Sequence, residues 1–187
     1  MSAEARVPTL NLHGLCETLA ASASAAAVYF DLRARRIPNR LTYATAIVAL
    51  ALACLAASQA GTLRVLASSL LGGLTLLTLF GVLSVRGLLG FGDTKLLCAI
   101  GLCVGLPTSL RIAVCVLLSG GLLAVAYALW QGQVQAMLGN LLRPNRLRSA
   151  PVSEPQRHLH LFGYAPAIAL GTGWVLLGLH YPALLPL

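Results

Sequence analysis

Long uncharged apolar stretches alternate along this chain with short clusters of charge, proline and glycine. Residues 41–60 and 65–85 carry no charged side chain. Each stretch has about the 20 residues that an α-helix needs to cross a hydrocarbon layer about 30 Å thick. Gln59-Ala60-Gly61-Thr62 between them has the composition of a turn, so the pattern predicts a hairpin of spans over 41–60 and 64–85. Upstream, residues 10–30 are rich in Ala and Ser and interrupted by His13 and Glu17, which makes their hydrophobicity marginal. A cleaved leader is the rival reading, but Glu4 weakens its basic end and no compact leucine-rich core follows. The stretch predicts a transmembrane helix whose small side chains favour close packing, with Glu17 hydrated near its outer end.

Pro38 cannot continue a helix and Asn39 suits a cap, which ends the first helix before Pro38 and starts the second near Asn39. Further on, 93–110 predicts a short fourth helix with Pro107 marking a turn, and 112–130 a fifth. Residues 161–180 contain no Asp, Glu, Lys or Arg and predict a sixth helix before the Tyr181-Pro182 break. The polar connections are 31–40, 86–95 and 131–160, the last an irregular loop with Pro144, Pro151 and Pro155.

The expected fold class is therefore all-α, a single polytopic membrane helix bundle over 1–187 with about six transmembrane helices. Basic residues choose its orientation. Arg33, Arg35, Arg36, Arg40, Arg86, Lys95, Arg143, Arg146, Arg148 and Arg157 fall in those three connections, whereas only Arg6, Arg64 and Arg111 fall on the other side. The bias puts both termini outside and Asp31 and Asp93 on the cytoplasmic face of a cell inner (cytoplasmic) membrane, which the chain crosses several times.

Composition agrees with that solvent: 58% of residues are apolar and 10% charged, against about 25% charged in an ordinary soluble domain. The net charge of +8 raises nucleic acid as a partner, but no basic module interleaved with aromatics is present, so none is expected. Membrane lipids are the expected partners instead, with the arginines of 31–40 reaching anionic headgroups. The five cysteines, at 16, 54, 98, 103 and 115, form no CxxC pair, and neither a metal nor a cofactor is expected.

Asp31 and Asp93 are the only aspartates in the chain. An acid at a helix centre costs roughly 2.5 to 3.5 kcal/mol on insertion scales, so two at one membrane edge call for an explanation. Paired carboxylates that share a proton can hydrolyse a peptide: the ionised member draws a proton from attacking water and the protonated member polarises the scissile carbonyl. Gly90 and Gly92 precede Asp93 and suit a close backbone approach by a strand-like substrate. Simpler readings exist for each acid alone. Asp31 can pair with Arg35 one turn on, and Asp93 can cap the fourth helix. Lys95 reads as a snorkelling residue or as a cation favouring ionisation of the pair.

At three places the sequence resembles the type IV prepilin peptidases, in particular their short, Tad-type members. Asp31 followed by Arg35-Arg36-Ile37-Pro38-Asn39 is similar to the family's first-aspartate motif. Gly90-Phe91-Gly92-Asp93-Thr94-Lys95 matches its GxGDxK motif, and Gly163-Tyr164-Ala165-Pro166-Ala167-Ile168-Ala169-Leu170-Gly171 is similar, less closely, to the Pro/Gly/Ala segment of its last helix. The resemblance implies an aspartic endopeptidase with Asp31 and Asp93 as catalytic residues. Its substrates would be pilin-like or pseudopilin precursors, cut after a glycine to remove a short basic leader at the cytoplasmic face. Long members also N-methylate the new terminus and carry CxxC pairs in an insertion that is missing here, so no methyltransferase activity is expected. The GxGD element also occurs in presenilin-like intramembrane proteases, which are larger. Outside the enzymes, a subunit of a transporter or secretion channel is the alternative, though no internal repeat supports it. A membrane phospho- or acyltransferase would require more clustered Asp or His than Asp31, Asp93 and the scattered His13, His158, His160 and His180 supply.

Overall fold

The computed structural model of the protein describes residues 11–34, 36–130 and 164–181. Among these residues there are six helices and no strand: α1 Leu12–Ala34, α2 Asn39–Ala60, α3 Arg64–Val85, α4 Phe91–Val104, α5 Leu106–Trp130 and α6 Ala165–His180. Length and apolar composition suffice for a membrane crossing in Asn39–Ala60, Arg64–Val85 and Leu106–Ala126. The outward faces of these helices carry Ile47, Leu55, Leu74, Val82, Leu118 and Leu122, all exposed. The interior is lined largely by Ala, Gly, Ser and Thr. Large apolar groups on the outside suit lipid, and the small residues interspersed inside with Leu76, Phe80, Leu97 and Ile100 let helix backbones approach closely. The all-α membrane bundle expected from the sequence is the architecture found.

Two helix ends are set by glycine. At the end of α2, Gly61 has φ +60°, and the amides of Gly61 and Thr62 return to the carbonyls of Ser58 and Ala57. After α3, Gly87 has φ +76°, and the amides of Gly87 and Leu88 return to Ser84 and Leu83. Both are Schellman closures, which require a residue at ease in the left-handed region.

Three boundaries differ from the sequence expectation. The first helix does not stop at residue 30 but runs through Asp31 to Ala34, because Leu32, Arg33 and Ala34 are sound helix formers and no breaker precedes Pro38. Asn39 is the first residue of α2 and not its cap; Pro38, extended at φ −68° and ψ 131°, takes the cap place. The break between the fourth and fifth helices is at Gly105, φ +77°, and not at Pro107, so α4 ends at Val104 and α5 starts at Leu106. Pro107 lies in the first turn of α5, where its missing amide costs nothing. Arg35, the connection 131–160 and the start of the expected sixth helix at 161 lie outside the described residues.

α4 packs against α1, α2, α3 and α5, and most extensively against α3. The two run antiparallel, with Ser84 opposite Thr94 at one end and Ser68 opposite Gly105 at the other. Midway, a Cβ added to Gly72 would lie 2.6 Å from the Gly101 carbonyl oxygen, and one added to Gly101 would lie 2.5 Å from that of Gly72. Backbone meets backbone there, so no side chain fits. Gly101→Ala is expected to destabilise the detergent-solubilised protein by about 1–3 kcal/mol. Gly121→Ala, where nothing lies within 4 Å of the added carbon, should be neutral or stabilising. Thermal melts of the two variants check this, and equal melting temperatures would show that the approach is not tight.

Candidate active site

Asp31 enters the site from the last turns of α1, and Asp93 from the first turn of α4; both are half-buried. Packing of α1 against α4 brings the two acids to the same end of the bundle. Ile37 bridges the motifs, because its Cβ would lie 3.6 Å from a Cβ placed on Gly92. Asp93 belongs to the polar 86–95 connection, just before the apolar run that starts at Leu96. Burial and then the negative charge of Asp31 push its carboxyl up from 3.8 to about 6, against a smaller opposing pull from the backbone of Gly90. The Lys95 ammonium lies 5.6 Å from the centre of the Tyr43 ring on α2, a cation–π contact at the bundle edge.

The glycines of the motif have ordinary backbone conformations. Gly90 has an ordinary extended backbone, φ −72° and ψ 141°, and caps α4. A Cβ there would lie 3.0 Å from Oδ2 of Asp93, so its bareness leaves room for the carboxylate. Gly92 has only ordinary van der Waals space beside Ile37. Neither uses a conformation reserved for glycine; the positive φ of this turn belongs to Gly87. Gly90, and not Asp93, holds the cap position of α4. At the start of α2 the Asn39 carbonyl accepts the hydroxyl of Thr42 at 2.9 Å.

Two contributions are not apparent from the acids' own motifs. Tyr164, just before α6, donates its hydroxyl to the Val116 carbonyl at 3.2 Å. That bond ties the segment from Tyr164 to Gly171 to α5. Ser84, at the end of α3, lies 2.5 Å from the Thr94 hydroxyl beside Asp93. No spacing rule links residues 84 and 94; only the fold of the turn joins them.

At the opposite end of α1, Glu17 is not freely hydrated as the sequence suggested. Its side chain is 17% exposed, with His13 Nδ1 at 3.8 Å and His180 Nε2 at 3.6 Å from its oxygens. A cavity of about 610 Å³ opens there between α1 and α6, lined in part by Gly14, Thr18, Ala21 and Leu176, and it includes neither aspartate. Among the described residues, no three His, Cys, Asp or Glu side chains converge to hold a metal ion.

Two carboxyls close enough to share one proton would present one base and one acid to a substrate. That arrangement can activate a water and polarise a carbonyl in a single step. No curated protein and no solved structure matches the chain. A family model, that of the type IV leader peptidase family, matches residues 18–129. The match takes in most of α1 and α5, everything between them and both aspartates. With more than half of its length matched, the chain belongs to the type IV leader peptidase family.

Proposed function

We propose that the chain is an aspartic endopeptidase that removes the short basic leader of a pilin-like or pseudopilin precursor, cutting after a glycine at the cytoplasmic face of the inner membrane. The observation that carries the reading is the pairing of Asp31 and Asp93 across α1 and α4, where burial and Asp31 together favour the protonated form of Asp93. Asp93 holds the shared proton and donates to the scissile carbonyl oxygen. The carboxylate of Asp31 takes a proton from the water that attacks the carbonyl carbon. Collapse of the tetrahedral intermediate breaks the C–N bond, with a proton returned to the departing amine. The basic cluster Arg33, Arg36 and Arg40 beside Asp31 supports a cytoplasmic location for this edge, and the short connections support a Tad-type member.

Asp31→Asn and Asp93→Asn are each expected to abolish cleavage of a small protein built as basic leader, glycine and apolar helix, while both variants still insert and fold. The amide is nearly isosteric but takes no proton. Because the acids act as a unit, the double variant should be little worse than either single one. Partial losses that add would sink the dyad.

The pH dependence follows from Asp93. The productive state needs one proton on the pair, so the rate should rise as the first proton leaves and fall as the second leaves, with the falling limb near a pH of about 6. A flat rate between pH 5 and 8 would contradict this. Stability carries the same sign. A folded-state value raised above 3.8 means a contribution fully present below the unfolded value and lost as pH rises through about 6. Asp93→Asn should therefore be the more stable protein at pH 7, by on the order of 3 kcal/mol.

No methyl transfer is expected. Between the end of α1 at Ala34 and the start of α2 at Asn39 the link is too short for a domain, and the sequence holds no CxxC pair. Mass spectrometry of a precursor processed by the purified chain with a methyl donor present should show an unmodified N-terminus. A mature product heavier by one methyl group would overturn this part of the reading.

A further inference from the structure

The turn that delivers Asp93 is mostly exposed. Arg86, Gly87, Leu88 and Gly90 face outward, and of this turn only Leu89 packs against the core. Phe91, which opens α4, is 63% exposed. Apolar burial of the turn therefore does little to fix where the Asp93 carboxyl points.

A pair of hydroxyls does that instead. Ser84 Oγ, one residue before the end of α3, lies 2.5 Å from Thr94 Oγ1 in the first turn of α4, and both side chains are buried. The Thr94 hydroxyl also faces the carbonyls of Gly90 at 3.4 Å and Phe80 at 3.5 Å, and the Ser84 hydroxyl faces that of Gly90 at 3.5 Å. One contact thus ties the last turn of α3, the cap of α4 and the residue next to Asp93. Resting on the aspartic peptidase reading, we propose that Ser84 and Thr94 are positioning residues for Asp93: their hydroxyl pair sets the depth and direction from which α4 presents this carboxyl to Asp31.

Stability alone does not account for the pair. Replacing both partners of a buried hydrogen bond by apolar groups of similar shape is nearly neutral, and the Ser84–Thr94 neighbourhood already contains Phe80, Leu83 and Leu97. Other hydroxyls in the bundle differ in kind. Thr45, Thr75 and Thr78 bond to carbonyls of their own helices, and Ser69 bonds to the Leu102 carbonyl near the far end of α4. Ser84 and Thr94 join side chain to side chain between two helices, next to an acid whose direction matters.

The test uses the purified full-length chain in detergent and the precursor of basic leader, glycine and apolar helix. Thr94→Val and the double variant Ser84→Ala/Thr94→Val should lower kcat by about tenfold or more, as expected when a reacting group is displaced by a fraction of an ångström to an ångström. KM should stay within about twofold, because the substrate surface is untouched. Thr94→Ser, which keeps the hydroxyl, should recover most of the rate, and the Tm of the double variant should stay close to wild type. Thr78→Ala, on the exposed face of α3, controls for loss of a hydroxyl. Unchanged kcat in the double variant, no recovery with Thr94→Ser, or a rate loss that simply tracks a fall in Tm each overturns the positioning role. With an active wild type and an inert Asp31→Asn, such results leave the peptidase reading intact. A wild type that does not cleave the precursor overturns both.

Discussion

The close approach of α3 and α4 at Gly72 and Gly101 is the constraint on which the rest of the bundle depends. A helix of 14 residues rises only about 21 Å, well short of an apolar layer about 30 Å thick. α4 cannot be stable there by crossing alone, and it is instead enclosed by α1, α2, α3 and α5. Backbone contact with α3 brings it close enough for hydroxyls to reach across, Ser69 to the Leu102 carbonyl and Ser84 to Thr94, while the Leu106 amide at the start of α5 donates to Ser68. The same device joins α5 to α6, where Ser119 donates to the Ala167 carbonyl. In lipid, where apolar surface alone drives no association, small residues and such bonds provide it.

The shortness of α4 has an electrostatic consequence. Because the helix begins at Phe91, Asp93 falls in its first turn beside the buried Thr94 and is partly dry, while α1 overruns its expected end and carries Asp31 to the same end of the bundle. The two effects raising the Asp93 carboxyl, burial and a like charge, both come from this arrangement of helix ends. Neither requires a deep pocket. The bundle's cavity of about 610 Å³ lies at the other end, beside Glu17 and His180.

Much of this was legible in the chain. Uncharged runs over 41–60 and 65–85 marked α2 and α3, because a membrane helix is recorded directly in the absence of charge. The two aspartates stood out because acids are costly in such surroundings. What was not legible depends on contacts between distant residues. The pull of Pro107 on boundary assignment was misleading, since proline tolerates a first turn and the actual break fell at Gly105, whereas Pro38 marked its boundary correctly. Glu17 looked like a hydrated helix-end acid until the fold placed His180 of α6 beside it. Ser84 carried no signal at all, being one serine among many in apolar sequence. Its partner is ten residues away across a turn whose geometry rests on Gly87.

The arrangement also divides labour between the two sides of the Asp93 turn. In the proposed reaction Asp93 would hold a proton at near-neutral pH, which asks for partial burial, and burial of an ionisable group costs stability as soon as it ionises. That penalty pushes the first turn of α4 toward water, where the carboxyl would return to ordinary acidity and lose its proton. Something must resist the outward motion without itself adding charge, since a cation close by would favour the ionised form. The Lys95 ammonium lies over the Tyr43 ring, and in the proposed arrangement the neutral hydroxyls of Ser84 and Thr94 would meet both requirements, holding the turn while leaving the proton balance of the pair to burial and to Asp31.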